Sequence, residues 1–224
     1  MAKAPAHWDR HTWLRFAEGT GAVATVFAAD KPLYDAVQRN RNHTTDDFAR
    51  TVTPWGAKRA EGISALLIVA GSWSGNAEIR DAGRDSLESE IFAAGIVTPV
   101  IKRMVGRSRP IQQEGTHSFH PLSGAHQSFP SGHATNAFAF ATAVAAHSHG
   151  WLVPTIVYSM ATSVALSRVN DEKHFPSDVL AAALIGRAVA KGVVYRHQHG
   201  AAAWEISPAM FGDAPGISVH IVVR

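Results

Sequence analysis

Three polar clusters interrupt an otherwise apolar part of this sequence. The first, "KRMVGRSRP" (Lys102 to Pro110), offers Lys102 and Arg109 seven residues apart, a spacing that puts both on one face of a continuous helix, two turns apart. The second, "SFPSGHATN" (Ser128 to Asn136), opens an apolar run. Pro130 suits the turn, Ser131 is a good N-cap, and Gly132 has no side chain to keep a ligand from its amide; free N–H groups at the positive end of a helix dipole favour an anion. His133 follows directly. The third, "SRVNDEKHFPSD" (Ser167 to Asp178), holds Arg168, then His174 just before a helix that Pro176 starts. Asp178 falls in that helix's first turn, close enough to accept a hydrogen bond from one imidazole nitrogen and leave the other as a lone-pair donor. Each cluster alone has an ordinary explanation: a solvated basic helix end, a capped helix with a surface histidine, an aspartate favouring the N-terminal dipole. Together they supply three cations, a backbone anion nest, two histidines and a carboxylate. That set suits a phosphoryl group, with cations for its oxygens, a nucleophile behind it and an acid in front.

Helices must position these groups, because apolar residues recur at three-or-four spacing almost throughout. The spacing predicts helices over Thr12–Ala29, stopped before Pro32, and over Gly56–Ser74. A long helix is expected over Ala77–Gly106, kinked at Pro99, then a loop with Gly115, Pro121 and Gly124, and further helices from Ser131, over Trp151–Ser167 and over Pro176–Tyr195. The C-terminal "GISVHIVVR" (Gly216 to Arg224) alternates and is rich in β-branched residues, which predicts a short strand partnered by Ala203–Ser207. The expected fold is all-α, a bundle of about six helices in a single domain over residues 1–224, with a motif core at 102–178 and a β-hairpin within 203–224.

Composition narrows the function classes. The formal charge is +3 in 224 residues, with no Lys/Arg-rich run, so nucleic acid is not expected as a partner. There is no cysteine, which excludes a disulfide, a zinc–thiolate site and a thiol nucleophile. Residues Gly115 to Ser167 contain no Asp, Glu, Lys or Arg at all. The apolar runs are short or broken by Pro154, Arg187 and Lys191, and read as buried helices of a soluble protein, with a membrane-embedded form left open. The first eight residues lack the apolar core of a signal peptide, so the chain is expected to be cytoplasmic or a mature form.

Lys102-x6-Arg109-Pro110, then Pro130-Ser131-Gly132-His133, then Ser167-Arg168-x5-His174-x3-Asp178 match at eleven ordered positions. In these motifs the sequence resembles the type 2 phosphatidic acid phosphatase superfamily, which includes bacterial acid phosphatases, membrane lipid phosphatases and vanadium-dependent haloperoxidases. The resemblance implies an all-helical bundle with its active site at helix ends and catalysis without a metal or other cofactor. It assigns phosphate binding to Lys102, Arg109, Arg168, Ser131 and Gly132, in-line attack and a phosphohistidine to His174, orientation of that histidine to Asp178, and protonation of the leaving oxygen to His133. The leading expectation is a phosphatase acting on phosphomonoesters or lipid (pyro)phosphates. The alternatives are a haloperoxidase, in which vanadate would fill the same cradle as cofactor, and a non-catalytic phosphate- or lipid-binding module. By the same resemblance the location is expected to be periplasmic or otherwise extracytoplasmic, with membrane association second.

Substrate choice is open between a lipid and a soluble phosphate. The loop Ile111 to Gln127 lies between the first two motifs and is expected to overhang the site, with Phe119 and Leu122 as apolar contacts and His117, His120 and His126 as polar ones. Those histidines match no familiar metal-ligand spacing. Protonation of His133 implies an acidic to neutral optimum. Contact with a membrane surface and the oligomeric state are left open.

Overall fold

The computed structural model describes residues 10–199 in full and, beyond them, the backbone of 203–211 and 214–222. At its centre is α7 (Gly132–Ala146), in which Ala134, Ala137, Ala139, Ala141 and Ala143 are buried. A helix lined with alanine lets its neighbours come close on several sides. Three helices use this: α5 (Ala77–Glu90), α8 (Leu152–Asn170) and α9 (Pro176–Gln198) all pack on α7. The approach of α9 is closest at Gly186, where a Cβ would sit 2.4 Å from the Thr135 carbonyl oxygen. Outside this core lie α1 (Arg10–Ala28) against α9, α3 (His43–Val52) against α8, and α4 (Lys58–Ser74) against α5. The short α2 (Asp30–Arg39) bridges α8 and α9.

The helices α2 and α3 fall where no helix was expected. Pro32 does not end the chain's helical course, because it stands in the first turn of α2, where its missing N–H would have no partner anyway. α3 begins with a reciprocal cap: Asn42 accepts from the Thr45 amide at 3.1 Å, and Thr45 Oγ1 accepts from the Asn42 amide at 2.9 Å. The expected long helix over Ala77–Gly106 is instead three segments. α5 is followed by a π-helical stretch, Ile91–Val97, and then by α6 (Thr98–Val105). Pro99 has no N–H to give the carbonyl four residues back, and Thr98 N–H already reaches five back to Ala93, so the turn widens.

α6 stops at Gly106, which adopts the left-handed conformation (φ 59°) and has the His120 carbonyl so near that a Cβ would lie 1.8 Å from it. Arg109 therefore follows the helix in extended backbone and does not share a helical face with Lys102, as the spacing had predicted. Past α9, the backbone of β1 (Ala203–Phe211) and β2 (Ala214–Val222) pairs antiparallel, Ala203 opposite Val222. The class is all-α, and its helices carry the site.

Candidate active site

The N-termini of α7 and α9 meet at one end of the bundle, where the Ser131 amide donates to the Asp178 carbonyl at 3.1 Å. Ser131 caps α7 through its hydroxyl, which accepts from the Ala134 amide at 3.5 Å. Its own amide is thus engaged, and only the hydroxyl proton is left as a donor. The amides of Gly132 and His133 stand at the first two helical positions, which have no partner within a helix. Gly132 also makes room: Lys102 Cε lies 4.0 Å from where a Cβ on residue 132 would be. Lys102 Nζ donates to the Gln127 carbonyl.

Arg168, in the last turn of α8, is buried and pairs with Asp171 at 3.1 Å. Its Nε is buried with no acceptor, and so is Nε of Arg109. Buried N–H groups without a partner are uncommon in a folded protein. Two such guanidinium groups here stand within electrostatic range of Lys102. Burial first, and then Arg109 and Arg168, bring the Lys102 ammonium down to about 8. Burial and the same three cations bring His133 down to about 4. The structure therefore gathers Lys102, Arg109, Arg168, Gly132 and His133 at one helix terminus, a concentration of positive charge that favours an oxyanion.

His174 is buried beside this group, 3% exposed. Its Nδ1 donates to the Ser128 carbonyl at 2.7 Å. A carbonyl can only accept, so Nδ1 carries the proton and Nε2 keeps a lone pair. Burial is the main reason that its pKa falls to about 4, so the ring is neutral above that pH. The expectation that Asp178 directly holds this ring needs correction. Asp178 Oδ2 is 3.8 Å from Nδ1, beyond hydrogen-bond reach. It accepts instead from Ser128 Oγ at 2.6 Å and from the Phe175 amide at 2.8 Å. Asp178 thus fixes the two neighbours of the histidine, Ser128 in space and Phe175 in the chain, and its carboxylate favours the protonated ring across the 3.8 Å gap.

The sequence reading missed the group behind Asp178. Arg107 is fully buried; it donates to Asp178 Oδ1 at 2.6 Å and Asp30 Oδ2 at 2.7 Å, and stacks on Phe175 with its guanidinium carbon 4.4 Å from the ring centre. Asp30 also accepts from the Ser177 amide at 2.8 Å. Burial alone would raise the Asp178 carboxyl, but the nearby His174 ring, the Arg107 charge and the Ser128 hydrogen bond outweigh that and hold it below the usual aspartate range. Arg107 stands in the first polar cluster, two residues before Arg109, and neither its type nor its spacing set it apart from the other charges of that run. Nothing in the sequence signalled Asp30, 148 positions before Asp178.

In the loop, Phe119 and Leu122 are exposed. Glu114, His120 and His126 gather there, His120 Nε2 lying 3.0 Å from Glu114 Oε2 and the two imidazoles stacked 4.0 Å apart.

A family model described as the PAP2 superfamily matches residues 89–200. Among curated proteins, a lipid A 1-phosphatase of Rhizobium etli is 36% identical over 104 residues, which is 45% of this chain and 44% of that protein. A lipid A 1-phosphatase of Rhizobium johnstonii is 38% identical over 100 residues, 43% of this chain and 40% of that protein. The matched stretch thus spans less than half the length of either relative. Two solved structures share the fold. One is a transmembrane PAP2-type phosphatidylglycerolphosphate phosphatase from Bacillus subtilis, with TM-score 0.61 and 24% identity over 84% of this chain and 94% of that one. The other is Aquifex aeolicus LpxE, with TM-score 0.53 and 21% identity over 73% and 93%.

Proposed function

Because the chain belongs to the PAP2 superfamily, we propose that it is a phosphatase that removes a phosphate from a lipid, by way of a phosphohistidine on His174. The observation that supports this best is the pair of buried guanidinium Nε–H groups of Arg109 and Arg168, without protein acceptors, beside Lys102 and the Gly132 amide. Three cations and helix-terminal amides at one point are what a phosphoryl group's equatorial oxygens need. The scheme requires no cofactor, and vanadate or phosphate competes for the same cradle.

The reaction then runs in two steps. His174 Nε2 uses its lone pair to form a bond to phosphorus. The phosphorus–oxygen bond to the leaving group breaks, and His133 gives its proton to that oxygen. In the second step His133 takes a proton from a water molecule, the resulting hydroxide attacks phosphorus, and the P–N bond breaks with its electron pair returning to Nε2. Phosphate leaves. Its dianion raises the His133 pKa above the value near 4 that burial and three cations impose. Substrate binding itself thereby charges the acid.

A lipid substrate accords with the relatives' names and with the apolar surface. α8 is long and apolar enough to cross a membrane by length and composition, and a third of its most apolar stretch is buried. Leu152, Ile156 and Leu166 on it are more than half exposed. This corrects the expectation that the run over 151–167 is a buried core helix. Membrane association, and an extracytoplasmic location for the site, belong to this proposal.

Quenching with alkaline detergent, which preserves a phosphoramidate, during turnover of lipid A radiolabelled in its phosphate, with phosphatidic acid and an isoprenyl pyrophosphate run alongside, tests the reading. Wild type is expected to carry an acid-labile label and His174→Ala none, with turnover down about 1,000-fold or more. Near-wild-type turnover in His174→Ala would overturn the nucleophile assignment.

A further inference from the structure

A cavity of 480 Å³ opens beside His133, between α4, the π-helical stretch and α7. Its walls are mainly apolar, with Leu87, Ile91 and Ala94 among them. Two buried polar side chains also line it: Glu90, 2% exposed, and Asn136, 3% exposed. Each has an atom without a partner. Glu90 Oε2 accepts from Ser64 Oγ at 2.9 Å, while Oε1 has no hydrogen bond, and neither does Asn136 Nδ2. Leaving such atoms unsatisfied in the interior is costly, so an unpaired donor and an unpaired acceptor on two side chains that line one cavity are a feature that bound ligand atoms could satisfy.

The cavity's place gives it a role. Gly132, His133 and Asn136 stand at i, i+1 and i+4 of α7, so His133 and Asn136, three apart, share a face. A group held against Asn136 therefore extends from the oxygen that His133 protonates. The π-helical stretch contributes too, since its wide turn displaces Ile91 and Ala94 from the α-helical course of α5.

We propose that this cavity is the leaving-group subsite, and that it takes an uncharged, largely apolar alcohol bearing a hydroxyl or amide near the phosphorylated carbon, with Asn136 Nδ2 as donor to that group and Glu90 as its second partner. This rests on the phosphatase reading above and on His133 as the acid. Burial, with Glu61 nearby, raises the Glu90 carboxyl to about 8, so at neutral pH it is protonated and can donate or accept. Among the described residues, no lining side chain apart from His133 is cationic, and Glu61 adds a carboxylate. It discriminates against leaving groups that carry a second phosphate, such as nucleotides.

The experiment compares 2-hydroxydodecyl phosphate with dodecyl phosphate on the whole chain, with tungstate binding measured in parallel by calorimetry. Wild type is expected to favour the hydroxylated ester in kcat/KM by about tenfold, the scale of one or two buried hydrogen bonds. Asn136→Leu is expected to reduce that preference to below about twofold while tungstate still binds. The isosteric Asn136→Asp and Glu90→Gln, which keep the volume if the leucine variant does not fold, are expected to lower it by a few fold each. Equal kcat/KM for the two esters in wild type, or an undiminished preference in the isosteric variants, overturns the subsite while leaving the phosphatase reading in place. Hydrolysis of neither ester, with no tungstate bound, removes both.

Discussion

Lys102 is the cation of the proposed cradle whose charge depends most on its surroundings. Burial and the repulsion of Arg109 and Arg168 hold its pKa near 8, so raising the pH through 8 removes one positive charge from the site, and oxyanion affinity falls with it. Linkage runs the other way as well: a bound oxyanion stabilises the ammonium and moves its pKa up. Tungstate keeps a constant charge over this range, which makes it a clean probe. Its affinity is expected to drop at least about tenfold between pH 7 and 9.5, since one charge at contact distance near a protein surface is worth a few kcal/mol. Lys102→Arg, charged throughout, is expected to bind with a flat profile. A flat profile in wild type would remove Lys102 from the cradle. Legibility differed residue by residue here. Lys102, Arg168 and His174 stood out by type and motif spacing, and the structure places them within electrostatic reach of one another. Arg107 was not, since a buried guanidinium that braces Asp178 and Asp30 looks in the sequence like one more charge in a basic run.

At the scale of elements, what the sequence disclosed was apolar periodicity, and α4, α7, α8 and α9 lie close to where it placed them. Features set by backbone hydrogen bonding stayed hidden: the cap that starts α3, the widened turn before Pro99, and the left-handed stop at Gly106. Helix contact distances are likewise invisible until partners are known. The two glycines of α9 show why. At Gly186 a Cβ would lie 2.4 Å from the Thr135 carbonyl oxygen and 2.9 Å from the Ala139 amide nitrogen, whereas at Gly192 nothing comes within 4 Å. Gly186→Ala must push α9 off α7 and is expected to cost about 1–3 kcal/mol. Because the N-termini of these two helices carry His174's surroundings and the anion nest, tungstate affinity should fall with it. Gly192→Ala meets open space and gains helix propensity, so stability is expected to rise by up to about 1 kcal/mol. Thermal unfolding of both variants checks the pair; equal effects would mean that the α7–α9 approach is softer than its geometry.

For the whole molecule, the charge-free stretch from Gly115 to Ser167 had one sequence signature and two structural outcomes. Its first helix, α7, is buried in protein, whereas α8 turns Leu152, Ile156 and Leu166 outward, next to an exposed Trp151 at its start. Missing charge reports an apolar neighbourhood, and a protein core and a lipid phase meet that description equally. α4 argues for the second on its outer side. Its inner face, with Ala60, Ser64, Ile68 and Gly71, packs on α5, while Leu66, Val69 and Trp73 at i, i+3 and i+7 form an outer stripe, Trp73 being 92% exposed. A helix apolar on both faces stays out of water only with a second apolar phase beside it. If that phase is a bilayer, a lipid substrate reaches the cavity beside His133, whose wall includes Ala57 just before α4, without crossing water. The whole chain is therefore expected to float with vesicles of uncharged phosphatidylcholine, on which its net charge has no pull. Replacing Leu66 and Trp73 together by serine should weaken that binding by about tenfold or more, given the apolar area removed. It should also lower turnover of vesicle-borne lipid more than turnover of a water-soluble phosphate ester. Wild-type protein that stays in the aqueous fraction without detergent would show that the outer stripe of α4 faces something other than lipid.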